Sequence, residues 1–138
     1  MLNLFRFNGG VKPPTNKTQS VTEPIAVAPL PTRLVVPLHQ SIGGTPQPVV
    51  QAGDRVRKGQ LVGKADGWIS AAVHAPTSGT VAAVGMHVQP HPSGLDALCV
   101  TIEPDGLDEW VERTPIDHAN LPPETVRALL QQAGVVGL

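Results

Sequence analysis

Residues 51–84 read QAGDRVRKGQLVGKADGWISAAVHAPTSGTVAAV, and this stretch decides the fold. Turn signals recur along it at Ala52-Gly53-Asp54, at Lys58-Gly59-Gln60 and at Ala75-Pro76-Thr77-Ser78-Gly79. Glycine supplies positive φ and proline a fixed φ where a chain must reverse. Between the turns lie short apolar runs: Val56, then Leu61-Val62, then Ala71-Ala72-Val73, then Val81 to Val84. Short β-rich runs at this spacing predict an all-β sandwich or barrel, with Val56, Leu61, Val73 and Val81 facing a small interior.

Outward from this stretch the pattern continues. Arg33 to Leu38 reads as a strand, and Pro37, which has no N–H to donate, implies that it sits at a sheet edge or ends there. Pro48-Val49-Val50 reads as a short strand. Asp66-Gly67 is a hairpin dipeptide, with Trp68 to Val73 as the returning strand. Met86 to Asp96 reads as loop by composition. Leu98 to Glu103 alternates cleanly, with Leu98, Val100 and Ile102 on one face. Upstream, Met1 to Phe7 reads as an ordinary edge strand rather than a foot for a membrane or partner. Gly9-Gly10 and Pro13-Pro14 enforce an extended path, and Thr15 to Glu23 is polar loop. Ala26 to Pro31 is expected to lie extended on the core. Downstream, Leu107 to Arg113 reads as a surface connection, and Thr114-Pro115 as the cap of a short turn with Asp117 as its third helical residue. Pro123 opens the one good helix, which carries an apolar stripe of Val126, Leu129, Leu130 and Ala133, an acidic first turn at Glu124 and a stop at Gly134. The apolar tail Val135-Val136-Gly137-Leu138 suggests that more chain follows.

Composition bounds the chemistry. With 138 residues the chain is long enough for one domain with an appendage. A net charge of −1 gives no field to attract nucleic acid or an anionic membrane. The one cysteine, Cys99, excludes an internal disulfide, a cysteine-ligated iron–sulfur cluster and a four-cysteine zinc site, and fits a cytosolic compartment. With two Phe, two Trp and no Tyr, the core must be built from Val, Leu, Ile and Ala. No run approaches the ~20 apolar residues of a membrane span, and the start does not read as a signal peptide.

Candidate chemical sites are few. His74, in VHAPTSG, has no carboxylate in its motif to orient it as a general base, although Ser78 and Thr77 are near. It reads as a structural histidine bonded to the turn backbone. His87, His91 and Cys99 would make a metal set only on a helix, which Pro90 and Pro92 forbid. His39 and His118 belong to no constellation. The basic run Arg55-Val56-Arg57-Lys58 reads as a solvated turn rather than a phosphate site, and no phosphate-cradling glycine loop is complete.

The pair GDRVRKGQ (Gly53 to Gln60) and APTSGTV (Ala75 to Val81) resembles the biotinyl/lipoyl-type barrel-sandwich hybrid. A carrier of that type needs a lysine at the hairpin tip between the motifs. The tip here is Asp66-Gly67-Trp68-Ile69-Ser70, and the only lysine in the interval, Lys64, precedes it. The fold is expected to be shared and the prosthetic group not.

Several strings together resemble the N-terminal part of RnfC, a component of the Rnf (Rsx) electron-transport complex. They are Phe7-Asn8-Gly9-Gly10-Val11-Lys12-Pro13-Pro14 with Lys17-Thr18, Leu30-Pro31, Val36-Pro37-Leu38-His39-Gln40 with Ile42-Gly43, the GDRVRKGQ pair, Val73-His74-Ala75-Pro76-Thr77-Ser78-Gly79-Thr80-Val81, and Ala133-Gly134-Val135-Val136-Gly137-Leu138. The resemblance marks Gly9, Gly10, Pro13, Pro14, Gly53, Asp54, Gly59, His74, Ala75, Pro76 and Gly79 as signature residues with structural roles. It implies a mainly β barrel-sandwich hybrid at residues 30–104, an extended segment at 1–29, and at 105–138 a linker and the first helix of a following flavin/NADH domain. It implies FMN, NADH and two 4Fe-4S clusters in the full-length family but no cofactor, metal or catalytic residue in this chain. Gly137 and Leu138 would open the family's flavin loop. It also implies other Rnf complex subunits as partners, with no nucleic acid and no membrane span. The location implied is peripheral, on the cytoplasmic face of the bacterial inner membrane. The expected role is a structural, docking one. The alternatives are a carrier domain that has lost its lysine, a stand-alone interaction module, or an enzyme built on His74.

Overall fold

The computed structural model describes residues 9–136. The readings made on Met1 to Phe7 and on Gly137-Leu138 lie outside the described residues. The strands in chain order are β1 (Leu34–Pro37), β2 (Gln47–Pro48), β3 (Arg55–Val56), β4 (Leu61–Lys64), β5 (Val73–His74), β6 (Gly79–Val88) and β7 (Asp96–Pro104), followed by one helix, α1 (Pro123–Gln132). They form two antiparallel sheets, one in the order β1-β7-β6-β3 and the other β2-β4-β5. The fold is mainly β, as the turn spacing predicts, with the C-terminal helix that the apolar stripe predicts and the two-sheet architecture of the barrel-sandwich hybrid that the resemblance implies.

The two sheets close on one aliphatic core. Val36, Val56, Val81, Val100 and Ile102 come from the larger sheet and Val62 and Val73 from the smaller, joined by Leu38 and Ala75. Strand alternation delivers them: on β1 Val36 points in and Val35 out. β1 is an edge strand, and Pro37 pairs with Cys99 there. Leu98, Val100 and Ile102 share the core face of β7 as expected.

Five local expectations are corrected. The inward residue of β4 is Val62, not Leu61, because a register shift between Leu61 and Gly63 turns the strand. Met86 to Val88 is strand, not loop: β6 continues with Met86 opposite Leu98, His87 opposite Ala97 and Val88 opposite Asp96. The long partner β7 supplies a ladder that overrides local composition. Asp66-Gly67 is not a two-residue hairpin turn. It lies in the broad loop 65–72 between β4 and β5, and the returning strand is only Val73–His74. Thr114-Pro115 caps no helical turn; Asp117 instead accepts from the Ala119 N–H at 3.1 Å through Oδ1. Ala26 to Pro31 is extended, but it does not cover the core: Val27 is 97% exposed.

Helix α1 starts at Pro123 and ends with Gly134 at φ 71°, which only glycine adopts without strain. No residue of the helix is fully buried. Its last turn joins the barrel: the Ala72 N–H donates to the Gln131 carbonyl at 3.2 Å, and a Cβ on Gly134 would lie 2.5 Å from the Ala72 carbonyl oxygen.

Candidate functional site

The turn pair is built by matching hydrogen bonds to the returning strands. In the first turn Gly53 has φ 94°, its N–H donates to the Val81 carbonyl at 2.8 Å, and the Val81 N–H donates to the Asp54 carbonyl at 2.8 Å. The Asp54 carboxylate accepts the Gln51 N–H at 2.9 Å and so closes the loop on itself. The second turn repeats the scheme. Gly59 has φ 80° and donates to the Ala75 carbonyl at 2.8 Å, the Ala75 N–H donates to the Gln60 carbonyl at 2.8 Å, and the Gln60 side chain accepts the Arg57 N–H at 3.0 Å. Gly53 and Gly59 thus carry the positive φ of the two turns, the Asp54 side chain closes the first, and Ala75 pairs with the second through its backbone.

The basic residues of this turn pair are not merely solvated. Arg55 pairs with Asp105 at 3.3 Å, Arg57 with Glu109 at 3.3 Å and Lys58 with Asp108 at 2.6 Å. Backbone bonds hold the same two segments together: the Lys58 N–H donates to the Glu109 carbonyl at 2.8 Å and the Val111 N–H to the Lys58 carbonyl at 3.0 Å, a one-residue parallel bridge between Lys58 and Trp110. The Trp110 ring lies on Gly59, with Lys58 Nζ 4.9 Å and Arg113 Cζ 4.0 Å from its centroid. Ser78, which is buried, is the pin of this clasp. Its Oγ donates to Asp105 Oδ1 at 2.7 Å and accepts the Glu109 N–H at 2.8 Å. Thr77 Oγ1 donates to Asp108 Oδ1 at 2.9 Å. Leu107 to Arg113 reads from sequence as a surface connection; residues 105–111 are in fact bonded along the barrel wall.

The clasp has a pH signature. The Ser78 hydroxyl, with the Leu107 N–H and Arg55, holds the Asp105 carboxyl below its ordinary value. Lys58, with the Thr77 hydroxyl, does the same for Asp108. A carboxyl depressed in the folded state contributes stability above its unfolded pKa and loses it as pH falls through the folded value. Thermal melts from about pH 6 down to about pH 2.5 are expected to show a shallow loss of stability below about pH 4 to which the two carboxylates contribute. Asp105→Asn and Asp108→Asn each flatten it. An unchanged loss in the double variant contradicts the clasp. Solvent exposure keeps each single contribution small.

The hairpin tip is tied down from both sides. Ser70 Oγ accepts the Asp66 N–H at 3.0 Å and donates to the Gly44 carbonyl at 2.8 Å, and the Gly44 N–H donates to the Ile69 carbonyl at 2.8 Å. From α1, Gln131 Nε2 donates to the carbonyls of Gly67 at 3.0 Å and Ser70 at 3.2 Å. Gly43 has φ 100° and lies so close to Ile69 that no Cβ fits. Trp68 and Ile69 nevertheless face solvent, Trp68 at 88% exposure. Lys64 is at the end of β4, opposite Gln47, and does not reach the tip. A carrier arm must swing its lysine freely; this loop has no lysine and is fastened to a helix.

The other candidates separate. His74 is half-buried on β5 and lines a shallow depression with Gly59, Pro76, Trp110 and Ala133. Among the described residues its ring makes no hydrogen bond to the turn backbone; that job falls to main-chain groups and Ser78. His87 Nε2 meets Thr101 Oγ1 at 3.2 Å, His91 Nδ1 meets Ser93 Oγ at 2.8 Å, and Cys99 Sγ donates to the Ala97 carbonyl at 3.3 Å. Burial pushes the Cys99 thiol up, against a smaller opposing effect of the His87 backbone. No group of three or more His, Cys, Asp or Glu side chains among the described residues is placed to hold a metal. A single buried thiol, hydrogen-bonded as a neutral donor, does not fit iron–sulfur ligation. Gly9, Gly10, Pro13 and Pro14 lie exposed in an extended segment apart from the barrel.

Sequence reasoning missed the clasp. Its signal was an acidic set, Asp105, Asp108 and Glu109, matching a basic set, Arg55, Arg57 and Lys58, about 50 residues away.

The two-sheet core with paired glycine turns defines a barrel-sandwich hybrid whose tip carries no attachment lysine. Comparison with known proteins makes the family specific: residues 5–107 match the RnfC barrel sandwich hybrid domain, and the chain belongs to that family. It is 44% identical over 136 residues to the C subunit of an ion-translocating oxidoreductase complex from Haemophilus influenzae (strain PittEE), covering 98% of this chain and 21% of that protein. It is 45% identical over 139 residues to the protein of the same description from Pseudomonas aeruginosa, covering 100% of this chain and 18% of that protein. The C subunit of a proton-translocating ferredoxin:NAD(+) oxidoreductase complex from Clostridium ljungdahlii is 40% identical over 137 residues, covering 98% and 30%. The chain is thus homologous to the N-terminal region of RnfC proteins and spans less than a third of their length. No helix among the described residues is long and apolar enough to cross a membrane.

Proposed function

We propose that this chain is the structural N-terminal domain of RnfC in an ion-translocating ferredoxin:NAD oxidoreductase complex, and that it docks the redox-bearing part of RnfC to partner subunits on the cytoplasmic face of the membrane. In this reading FMN, NADH and the 4Fe-4S clusters belong to the part of RnfC beyond this chain. Residues 105–138 are the connection to that part, with α1 its first helix. The observation that carries the reading is the fastened tip: a carrier fold whose arm is bonded to Gly44 below and Gln131 beside it presents a fixed surface, not a mobile cofactor. The family gives the setting.

Two measurements test it. Titrating this chain into flavin at micromolar concentration is expected to leave flavin fluorescence unchanged; saturable quenching contradicts a purely structural domain. Added in excess during reassembly of the complex, the chain is expected to compete with full-length RnfC for its partner subunits. Full incorporation of RnfC at every excess of the chain contradicts docking through this domain.

A further inference from the structure

Beside the hairpin tip runs a groove with no occupant among the described residues. Trp68 forms one wall, Leu130 and Gln131 of α1 the other, Val135 closes one end, and Glu124 and Arg127 stand on the rim. Its apolar lining is solvent-exposed: Trp68 is 88% exposed, Leu130 47% and Val135 59%. Of the helix stripe, Val126 and Leu129 are half-buried, whereas Leu130 is exposed and lines the groove, and no residue of α1 is fully buried. An amphipathic helix gains most of its stability from packing its apolar face, and the side of α1 that carries Leu130 has packing still to gain.

We infer that the groove between Trp68 and α1 is the seat of the portion of RnfC that follows this region, and that this contact sets the angle between the barrel and the redox-bearing part. The inference rests on the docking reading and names its intramolecular surface. Three observations select this occupant. The family domain ends at residue 107, whereas the similarity to RnfC proteins covers 98–100% of the chain, so α1 lies in RnfC but outside the barrel domain. The relatives are several times longer than this chain, so each has polypeptide to place there. Val135, three residues past the end of α1, is itself in the lining, so a segment following it is delivered at high effective concentration. The rim has one acid and one base, neither ion-paired among the described residues, which suits a mixed polypeptide surface better than an anionic lipid one.

Hydroxyl-radical footprinting of Trp68 tests the inference in three samples: this chain, isolated full-length RnfC that contains it, and the assembled complex. Labelling of Trp68 is expected to fall about tenfold from the chain to isolated RnfC, equivalent to ~1.4 kcal/mol of docking. Equal labelling in those two samples overturns the inference. If protection then arises only in the assembled complex, the occupant is another subunit: the inference fails and the docking reading stands. Protection of the chain alone that grows with its concentration, or on vesicles of phosphatidylglycerol, also overturns it, in favour of a second copy or of lipid. Trp68→Ala supplies a second arm. It is expected to leave the melting temperature of this chain unchanged, because the ring is exposed, while raising protease cleavage within residues 112–122 of full-length RnfC severalfold. Unchanged cleavage counts against the inference.

Discussion

Gly79→Ala is expected to destabilise the domain by roughly 2–4 kcal/mol, at or beyond the upper range for overpacking. The new Cβ would lie 2.2 Å from the Glu103 carbonyl oxygen and 2.9 Å from both the Glu103 carbonyl carbon and the Pro104 Cα. These are backbone atoms of β7 at the point where Gly79 pairs with Pro104, so no side-chain rotation relieves the clash. Relief requires β6 and β7 to separate where the clasp begins. Gly85→Ala is the internal control. It lies on the same strand, a Cβ there meets nothing within 4 Å, and a change within about 0.5 kcal/mol is expected. Urea denaturation of both variants reads the difference. Equal, small effects contradict the close approach of the strands.

Ser78→Ala is expected to cost about 2 kcal/mol, because it removes two hydrogen bonds, the one to Asp105 and the one from the Glu109 N–H, which is left without its acceptor. The loss should be regional. With the pin gone, residues 105–111 loosen, Trp110 leaves Gly59 and its fluorescence shifts to the red, while the far side of the barrel around Leu38 keeps its hydrogen-exchange protection. Ser78→Thr retains the hydroxyl but adds a methyl at a fully buried site, so it is expected to restore the bond only in part. A Ser78→Ala domain with wild-type stability and an unshifted Trp110 spectrum contradicts the clasp. The variant also separates this account from a catalytic one: an enzyme using His74 and Ser78 would lose activity with its fold intact, whereas here the fold itself weakens.

What the sequence discloses, and what it hides, follows from how far each interaction reaches. Gly53, Gly59 and Gly134 are legible because positive φ is a local demand with few solutions. β1 is legible as an edge strand because Pro37 lacks a donor. The core on β7 is legible because Leu98, Val100 and Ile102 alternate without interruption. Met86 to Val88 is misread because its strand character comes from Asp96 to Leu98 across the ladder, not from its own residues. Val62 replaces Leu61 in the core because a bulge shifts side chains by one position, which alternation alone does not reveal. The clasp is hidden for the same reason on a larger scale. Arg55, Arg57 and Lys58 look solvated when read locally, and their partners come a whole barrel later. At the tip, the missing lysine is plain in the sequence. That the tip is bonded to Gly44 and Gln131 is not, since those partners lie far from it along the chain.

The clasp and the fastened tip have one consequence in common. Both convert segments that would be mobile in a carrier into fixed walls: one side of the barrel is sealed by residues 105–111, and the arm is sealed by α1. A domain with this anatomy suits holding two bodies at a set geometry. Trp68, Ile69, Leu130 and Val135 are among its exposed apolar residues.

The docking role is tested most directly by the amount of RnfC recovered with a tagged membrane subunit of the complex when residues 9–107 are deleted from RnfC. The shortened protein is expected to remain folded in isolation but to be lost from the complex. Recovery of the shortened protein at the wild-type level contradicts the docking role of this domain.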